Sequence, residues 1–175
     1  MTVEYLLDRE LDAVLGLLTD ANRLVCQVSL RTGLRVSDVL SLKTAQLKPN
    51  FWVTEGKTGK RKQVGLPRPL LDAVRAQAGP VWAFPGRCGS GHRTRQAVWA
   101  DVKRAQRAMR LVQNIGPHSM RKVYAVDVLR RYGDIAEVQR RLNHSGQTVT
   151  MLYAMAAARL ESRHFQRAAR FGRRL

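Results

Sequence analysis

Cysteine and long apolar runs are both scarce in this chain. Only 2 of its 175 residues are cysteines, whereas the disulfide framework of a small extracellular domain needs several cysteine pairs. No stretch approaches the roughly 18 consecutive apolar residues that a membrane-spanning helix needs. The opening segment, MTVEYLLDRELDAVLGLL, is acidic and helically patterned, whereas a secretory signal begins with basic residues. These absences predict a cytoplasmic protein with no membrane partner.

Acidic residues are also few. The sequence has 13 Asp and Glu against 31 Lys and Arg, which gives a formal net charge of +18. The charge is uneven, because residues 1–20 hold five acids and one arginine while residues 155–175 hold six arginines and one glutamate. A large positive excess is typical of proteins that bind a polyanion, most often nucleic acid. The composition therefore favours a nucleic-acid partner.

Helical patterns begin the chain. Apolar spacing predicts one helix over roughly residues 8–18 and a second over 21–32. Thr19 or Asp20 is the candidate N-cap of the second helix, and Gly33 suits its left-handed end. We therefore expect two helices joined by a very short connection.

The periodicity changes over residues 45–67, AQLKPNFWVTEGKTGKRKQVGLP. KPN and GKTGK read as turns between short strand-like runs, which predicts a small antiparallel sheet. Ser37 is a candidate N-cap for a short helix before this sheet. The segment LLDAVRAQA predicts a return to helix after it.

The second half of the chain is predicted to be helical. One basic amphipathic helix is expected over 94–113 and another over 117–131, with Pro117 in its first turn. Asp134 is the candidate cap of the segment IAEVQRRL, and Asn143 can adopt the left-handed conformation that ends it. Helix-breaking residues thus divide this half into separate helices.

We expect one domain over residues 1–175, mainly α with a small antiparallel β-sheet, an α+β fold. Residues 155–175 are predicted to form a basic tail helix with a thin apolar stripe. A thin stripe holds a helix only loosely against its own domain. Docking on another protomer, folding back on the same chain and binding to DNA phosphates all stay open for this tail.

Three motifs carry polar residues suited to phosphate chemistry. Arg35 lies in TGLRVSD, just after a predicted helix end. His118 and Arg121 lie in HSMRK, and residues i and i+3 share one face of a helix. A cation pair on this otherwise apolar segment would be costly to bury unless a counter-ion such as a phosphate arrived. In LNHSGQTVTMLYA, Tyr153 follows His144 by nine residues.

The order of these motifs, with a KTGK turn between the first two, resembles the tyrosine recombinase (phage integrase) family over about residues 5–165. The resemblance implies that family's catalytic-domain fold and a site-specific recombinase that cleaves and rejoins DNA without metal, ATP or another cofactor. Family members usually carry an N-terminal core-binding domain, and some an arm-binding one; with 34 residues before Arg35, neither is expected here. The implied catalytic residues are Arg35, Lys57, His118, Arg121, His144 and Tyr153.

The resemblance implies a role for each of these residues. Tyr153 would attack a phosphodiester and hold the DNA 3′-phosphate in a covalent intermediate. Arg35 and Arg121 would grip the non-bridging oxygens with planar guanidinium forks, which lysine cannot do. His144 would donate a hydrogen bond to the same phosphate.

Proton transfers fall to the remaining residues. Lys57, in the EGKTGK turn, is the candidate general acid for the leaving 5′-oxygen, and the nearby Lys60 is an alternative. His118 would accept the phenol proton or position the scissile phosphate. The implied partners are double-stranded DNA and, on DNA, a homotetramer of a chain that is monomeric when free, in a bacterial or phage-infected cell.

Other interpretations stay open. The same fold could serve a non-catalytic DNA-binding regulator or a type IB topoisomerase-like nicking-closing enzyme. No metal site is expected at Cys88 and His92, because their spacing is loose and the ligands are too few. Basic runs at 57–62 and 103–110 are expected to contact the DNA backbone. The remaining aromatic residues, including Tyr5, Tyr124, Tyr132 and the three tryptophans, are most simply core or interface residues.

Overall fold

The computed structural model of the chain describes residue 6 and residues 8–87 and 91–143. The predictions for Tyr5, Cys88, His144, Tyr153 and the tail lie outside these described residues. The chain divides within one helix into two compact units, the first ending at Tyr124 and the second beginning at Ala125. No helix among the described residues is long and apolar enough to cross a bilayer.

The described chain is mainly helical. Strands β1 and β2 pair antiparallel, with Asn50 opposite Gly65 at one end and Thr54 opposite Arg61 at the other. This arrangement confirms the predicted fold class. In chain order the elements are α1 (Asp8–Leu17), α2 (Asp20–Thr32), α3 (Val36–Leu40), a 3₁₀ turn (Thr44–Gln46), β1 (Asn50–Thr54), β2 (Arg61–Gly65), α4 (Arg68–Gln77), α5 (Arg95–Ala108), α6 (Pro117–Tyr132) and α7 (Ile135–Leu142).

Helix α2 lies at the centre of the first unit. It packs against α1, α3, α4 and α5, which is why it is buried on more than one face. Each of these neighbours contributes apolar side chains that lose essentially all contact with water, and burial of such side chains is the main favourable term in folding. The fully buried members include Val14, Val25, Val28, Leu40, Val74, Val98 and Val102.

Several predicted helix ends are confirmed. Gly33 ends α2 with φ 68°, and Asn143 ends α7 with φ 52°, both left-handed. Pro117 begins α6, where its missing N–H costs nothing. Asp134 caps α7, because its side chain accepts a 2.8 Å hydrogen bond from the backbone N–H of Ala136.

The predicted cap at Ser37 is wrong. Helix α3 begins at Val36, one residue before Ser37, and Arg35 occupies the N-cap position in an extended conformation (φ −67°, ψ 149°). The carbonyl of Arg35 accepts the first hydrogen bonds of the helix from Asp38 and Val39. This short helix thus leaves the Arg35 side chain at its very start.

The N-terminus of α2 is capped from a distant helix. Of the two candidates, Thr19 and Asp20, Thr19 is the N-cap, but its own side chain makes no capping hydrogen bond. Instead Asp101 of α5 accepts hydrogen bonds from the backbone N–H and hydroxyl of Thr19, both at 2.9 Å, and from Asn22 at 2.8 Å. Arg104 completes the cluster, with its Nη2 2.7 Å from the same carboxylate. One carboxylate therefore joins α5 to the start of α2.

We expect Asp101→Asn to lower the free energy of unfolding by about 3 kcal/mol. The amide replaces a carboxylate that accepts hydrogen bonds from Thr19 and Asn22, and Arg104 loses its counter-ion. Burial alone would raise the pKa of Asp101, but hydrogen bonds from Asn22, Thr19 and Arg104 outweigh it and lower the pKa to about 2. The ionised carboxylate then contributes fully to the free energy of unfolding above about pH 4, and this contribution is lost as the pH falls toward about 2. Urea unfolding of both proteins at neutral and acidic pH measures this; equal stability at neutral pH would contradict the assignment.

Helix α5 ends earlier than predicted. Its last residue is Ala108 because Arg110 adopts a left-handed conformation, φ 51°. The backbone N–H of Arg110 bonds to the carbonyl of Arg107 at 3.0 Å, and that of Leu111 bonds to Gln106 at 3.1 Å. These two bonds form the Schellman pattern, a helix ending that favours glycine at the left-handed position. An arginine there is strained.

Replacing Arg110 with glycine should therefore stabilise the protein, by about 1 kcal/mol, because a side chain in the left-handed region costs about that much. Arg107→Gly is the matched control. That residue lies one turn earlier in ordinary helical geometry, so the same substitution should destabilise by a similar amount. Thermal or urea unfolding of the two variants measures both effects, and a loss of stability in Arg110→Gly would contradict the prediction.

Candidate active site

The α2–α3 junction holds Arg35 in place. Gly33 turns the chain at the end of α2, and Leu34 behind it is fully buried. The hydroxyl of Ser29 donates to the Leu34 carbonyl at 2.8 Å, and the Leu34 N–H bonds to the Thr32 hydroxyl at 3.2 Å. These local bonds satisfy a buried turn and fix the direction in which the chain enters Arg35.

Arg121, on α6, is almost completely buried, with 1% of its surface exposed. Its Nη1 donates a hydrogen bond to the carbonyl of Gly33 at the end of α2. The C-terminus of a helix carries partial negative charge, so this position favours a cation. The sequence predicted Arg121 on a part-buried helix, and the α2 C-terminus is one reason that the charge is tolerated there.

Glu55 links the two arginines. Its Oε2 lies 2.6 Å from Nη1 of Arg35, its Oε1 lies 4.0 Å from Nη1 of Arg121, and the residue has no exposed surface. Glu55 is not among the residues that the sequence motifs predicted for the site. Phe51 and Val53 point inward from β1 in alternation, and Glu55 continues their phase beyond the strand end. The sequence does carry a signal for the burial of Glu55, because a carboxylate that follows Phe51 and Val53 in the alternation of a strand is expected to point to the same buried face.

The turn after Glu55 carries Lys57. Lys57 and Lys60 are both exposed, so both remain candidates for the general acid. The backbone N–H of Glu55 bonds to the carbonyl of Lys60 at 3.0 Å, and the N–H of Gly56 bonds to Oδ1 of the buried Asp38 at 3.0 Å. The base of the turn is thereby tied to the segment that carries Arg35.

His118 lies in the first turn of α6 with an exposed edge. The surrounding protein displaces water from the ring, and nearby positive charges act in the same direction, so that the pKa of His118 is lowered to about 4. The imidazole is then neutral at neutral pH. The prediction of a cation pair with Arg121 is therefore wrong for the DNA-free protein. The charges that contribute belong to Arg121, Lys122, Arg35 and Lys57.

This lowered pKa makes His118 a source of acid sensitivity. Between the ordinary pKa of 6.5 and the folded-state value of about 4, the unfolded chain binds a proton that the folded chain does not. The stability of the wild type should therefore fall as the pH falls through this window, and the stability of His118→Gln should fall less steeply. Melting temperatures of the wild type and of His118→Gln, measured from about pH 7 to about pH 4, where histidine titrates, test this prediction. Parallel curves of melting temperature against pH would contradict it.

A cavity of about 650 Å³ opens beside Arg35 and His118. Its walls come from the start of α3, one face of α5 and the loop before α6. The described residues that line it include three permanent cations and no acid, so the cavity suits an anion. The lining residues are Arg35, Val36, Ser37, Arg95, Gln96, Trp99, Lys103, Asn114, Ile115, Gly116, Pro117 and His118.

Two of the three tryptophans are more exposed than a core role would allow. Trp52 is 52% exposed and Trp99 is 54% exposed, so neither is a core residue. Trp82 is half-buried and contacts the ring of His92 edge-to-face at 5.0 Å between centroids. Within the described part of the chain, no group of three or more His, Cys, Asp and Glu is arranged to hold a metal ion.

Comparison with known proteins identifies the family to which this chain belongs. The model of the phage integrase family matches residues 5–159. The chain belongs to the phage integrase family. The match includes every motif from TGLRVSD to the segment that ends in Tyr153.

Curated relatives agree with this membership. The chain is 35% identical over 133 residues to the tyrosine recombinase XerD of Rhizobium meliloti, which covers 70% of this chain and 43% of that protein. It is 31% identical over 130 residues to the probable integrase/recombinase YoeC of Bacillus subtilis, with 71% of each covered. The chain therefore spans less than half the length of that XerD and most of YoeC.

Solved structures share the fold. The λ integrase dimer bound to a COC′ core site superposes with a TM-score of 0.75 at 18% identity, over 88% of this chain and 48% of that one. The catalytic domain of bacteriophage HP1 integrase gives a TM-score of 0.62 at 21% identity, over 89% of each chain. The fold is that of a tyrosine recombinase catalytic domain.

Proposed function

We propose that this chain is the catalytic domain of a site-specific DNA recombinase that cleaves and rejoins DNA through a 3′-phosphotyrosyl intermediate. The observation that carries the proposal is the convergence of Arg35 and Arg121 on one buried carboxylate, beside a cationic cavity. Membership of the phage integrase family supports it. A phosphodiester of double-stranded DNA is the anion that this site would bind.

The arginines suit this substrate. Negative charge spreads over the non-bridging oxygens as the phosphate passes through its transition state, and preorganised donors stabilise such charge without having to reorganise. A guanidinium offers two parallel N–H donors to two oxygens, which fixes both position and orientation. Arg121 is held by the end of α2 and Arg35 by the α2–α3 turn, so both are in place before DNA arrives.

The reaction balances without an external energy source. The phenol of Tyr153 loses its proton, to His118 or, if His118 instead positions the scissile phosphate, to solvent, and its oxygen forms a bond to phosphorus. The bond from phosphorus to the 5′-oxygen breaks, and that oxygen takes a proton from Lys57 or Lys60. Attack by a 5′-hydroxyl reverses these steps. No ATP, metal or other cofactor enters, because the covalent intermediate keeps the energy of the broken bond.

Strand exchange requires several protomers on DNA. A λ integrase tetramer bound to a Holliday junction shares the fold, with a TM-score of 0.73. We propose a homotetramer of this chain on DNA and a monomer in its absence. The cytoplasm of a bacterium or a phage-infected host is the compartment that fits its bacterial relatives.

Capture of a covalent adduct tests the proposal directly. The protein is incubated, with metal ions chelated, with a pool of nicked duplexes of randomised sequence. A nick lets the short 5′-hydroxyl strand diffuse away after cleavage and so traps the intermediate. We expect a phosphotyrosyl adduct that survives denaturation, and sequencing of the trapped DNA gives the preferred site.

Two outcomes would redirect the assignment. Specific DNA binding with no adduct on any duplex would favour the non-catalytic regulator. An adduct that reseals on intact supercoiled DNA with loss of supercoils, without exchange between two duplexes, would favour the topoisomerase-like enzyme. Exchange between two duplexes carrying the selected site supports the recombinase.

A further inference from the structure

Glu55 is the most deeply buried acid near the proposed site, and none of the roles described above uses it. The carboxylate has no exposed surface and faces Nη1 of both Arg35 and Arg121. A buried carboxylate is costly unless it is paired and hydrogen-bonded. Its place between two guanidiniums therefore needs an explanation beyond packing.

The position of Glu55 relative to the cavity decides what it can do. Arg35 lines the cavity, whereas Glu55 does not, and the Arg35 side chain is 18% exposed while that of Glu55 is fully buried. Arg35 therefore has Glu55 on its interior side and the cavity on its open side. A phosphate arriving through the cavity would meet the guanidinium without displacing the carboxylate.

The same carboxylate reaches the lysine turn. The hydroxyl of Thr58 donates to Oε2 of Glu55 at 3.2 Å, and the backbone N–H of Gly59 bonds to the Glu55 carbonyl at 2.8 Å. Lys57 lies within this turn. One residue thus connects both arginines to the segment that holds the candidate general acid.

We propose that Glu55 is a positioning residue that holds Arg35 against Arg121 from the interior side and ties the Lys57 turn to them. Two guanidiniums that must reach one phosphate repel each other, and a carboxylate between them offsets that repulsion. The ion pair also restricts the orientation of the Arg35 fork. Orientation of this kind determines how fast a correctly bound phosphate reacts.

The first test needs no catalytic activity. Arginine side chains are labelled with ¹⁵N in the full chain, and rotation of the Arg35 guanidinium is followed by NMR. In the wild type the two Nη groups of Arg35 should exchange slowly, because Nη1 is held by Glu55. In Glu55→Gln the signals of the two Nη groups should average, because the Arg35 guanidinium then rotates freely. A glutamine amide has a single acceptor oxygen, so when that oxygen faces one arginine its NH₂ group faces the other.

Asp101→Asn is the matched control. It also removes a buried carboxylate from an arginine, but its hydrogen bonds join Thr19, Asn22 and Arg104, which lie outside the proposed site. Arg35 should rotate as slowly in this variant as in the wild type. If Glu55→Gln does not fold, Glu55→Asp keeps the charge but is one methylene shorter, so it should fold and still release Arg35.

The second test rests on the proposed function and uses the selected nicked duplex. Glu55→Gln should slow adduct formation by about 10- to 100-fold, a typical cost of misplacing a reacting group. DNA affinity should stay the same or increase, because a negative charge behind the phosphate site has been removed. Asp101→Asn, assayed below its melting temperature, should keep the wild-type rate.

Three results would overturn the proposal: slow Arg35 rotation that persists in Glu55→Gln, an equal loss of rate in Glu55→Gln and Asp101→Asn, or a parallel loss of affinity and rate in Glu55→Gln. Absence of any adduct from the wild type would instead overturn the proposed function. The NMR comparison would then decide the role of Glu55 alone.

Discussion

Tyr153→Phe is expected to abolish the covalent adduct completely while leaving the fold and DNA affinity unchanged. The substitution removes one oxygen atom, the proposed nucleophile, and no other group in the proposed reaction can store the phosphoryl bond. Because the proposed phosphate contacts come from arginine, lysine and histidine, binding should not depend on this hydroxyl. Denaturing gels measure the adduct, and a gel-shift or anisotropy titration measures binding.

Tyr132→Phe is the matched control for this experiment. Tyr132 is 52% exposed, and its hydroxyl accepts a 3.0 Å hydrogen bond from Arg141, so it is an accessible phenol next to a cation. We expect this variant to form the adduct at the wild-type rate. Mass spectrometry of the nucleotidyl peptide identifies the linked residue. An adduct that persists in Tyr153→Phe and maps to Tyr132 or Tyr124 would contradict the assignment.

Local chemistry made much of the fold predictable. Gly33 and Asn143 were expected to end helices because they tolerate positive φ, and both do so. Arg110 shows the limit of that reasoning, since an arginine gives no sign that it will adopt φ 51°. Here the bonds of the helix ending override the preference of the residue. Pattern reasoning consequently placed the end of α5 too late.

Long-range capping was invisible from the sequence. Thr19 was one of the two residues expected to cap α2, but the acceptor that completes the cap is Asp101, 82 residues away. In the sequence, Asp101 is one acid on a basic amphipathic helix. Only the packing of α5 against α2 brings it to the helix start.

The sequence predicted the arginines of the candidate site, but it predicted neither their buried counter-ion nor the neutral state of the histidine. Arg35 and Arg121 could be named from motifs, and the structure brings both to one carboxylate. The counter-ion of Arg121 was expected to be an incoming phosphate, whereas Glu55 already lies 4.0 Å from its Nη1 in the DNA-free protein. His118 was expected to add to the positive charge, but displacement of water from its ring and the neighbouring cations lower its pKa and keep it neutral.

Lysine substitution of Arg121 or Arg35 is expected to slow adduct formation by about 10²- to 10³-fold, the usual cost of removing one preorganised donor to a developing anion. Lysine keeps the positive charge but offers a single ammonium in place of a planar fork, so two phosphate oxygens can no longer be held at once. DNA affinity should change little, because many other basic residues contribute to a chain of net charge +18. Single-turnover rates and binding titrations on the same nicked duplex separate the two effects.

Arg68→Lys is the matched control, since the Arg68 side chain is 91% exposed and pairs with Asp72 on α4. It should change neither rate nor affinity. The two site variants should differ from each other in stability, because Arg121 is buried against the Gly33 carbonyl while Arg35 reaches the cavity. A lysine at 121 must satisfy that carbonyl from a shorter side chain, so Arg121→Lys should melt at a lower temperature than Arg35→Lys. Equal losses of rate and affinity in both variants would make the two arginines ordinary DNA-backbone contacts, and the proposed division between binding and catalysis would be wrong.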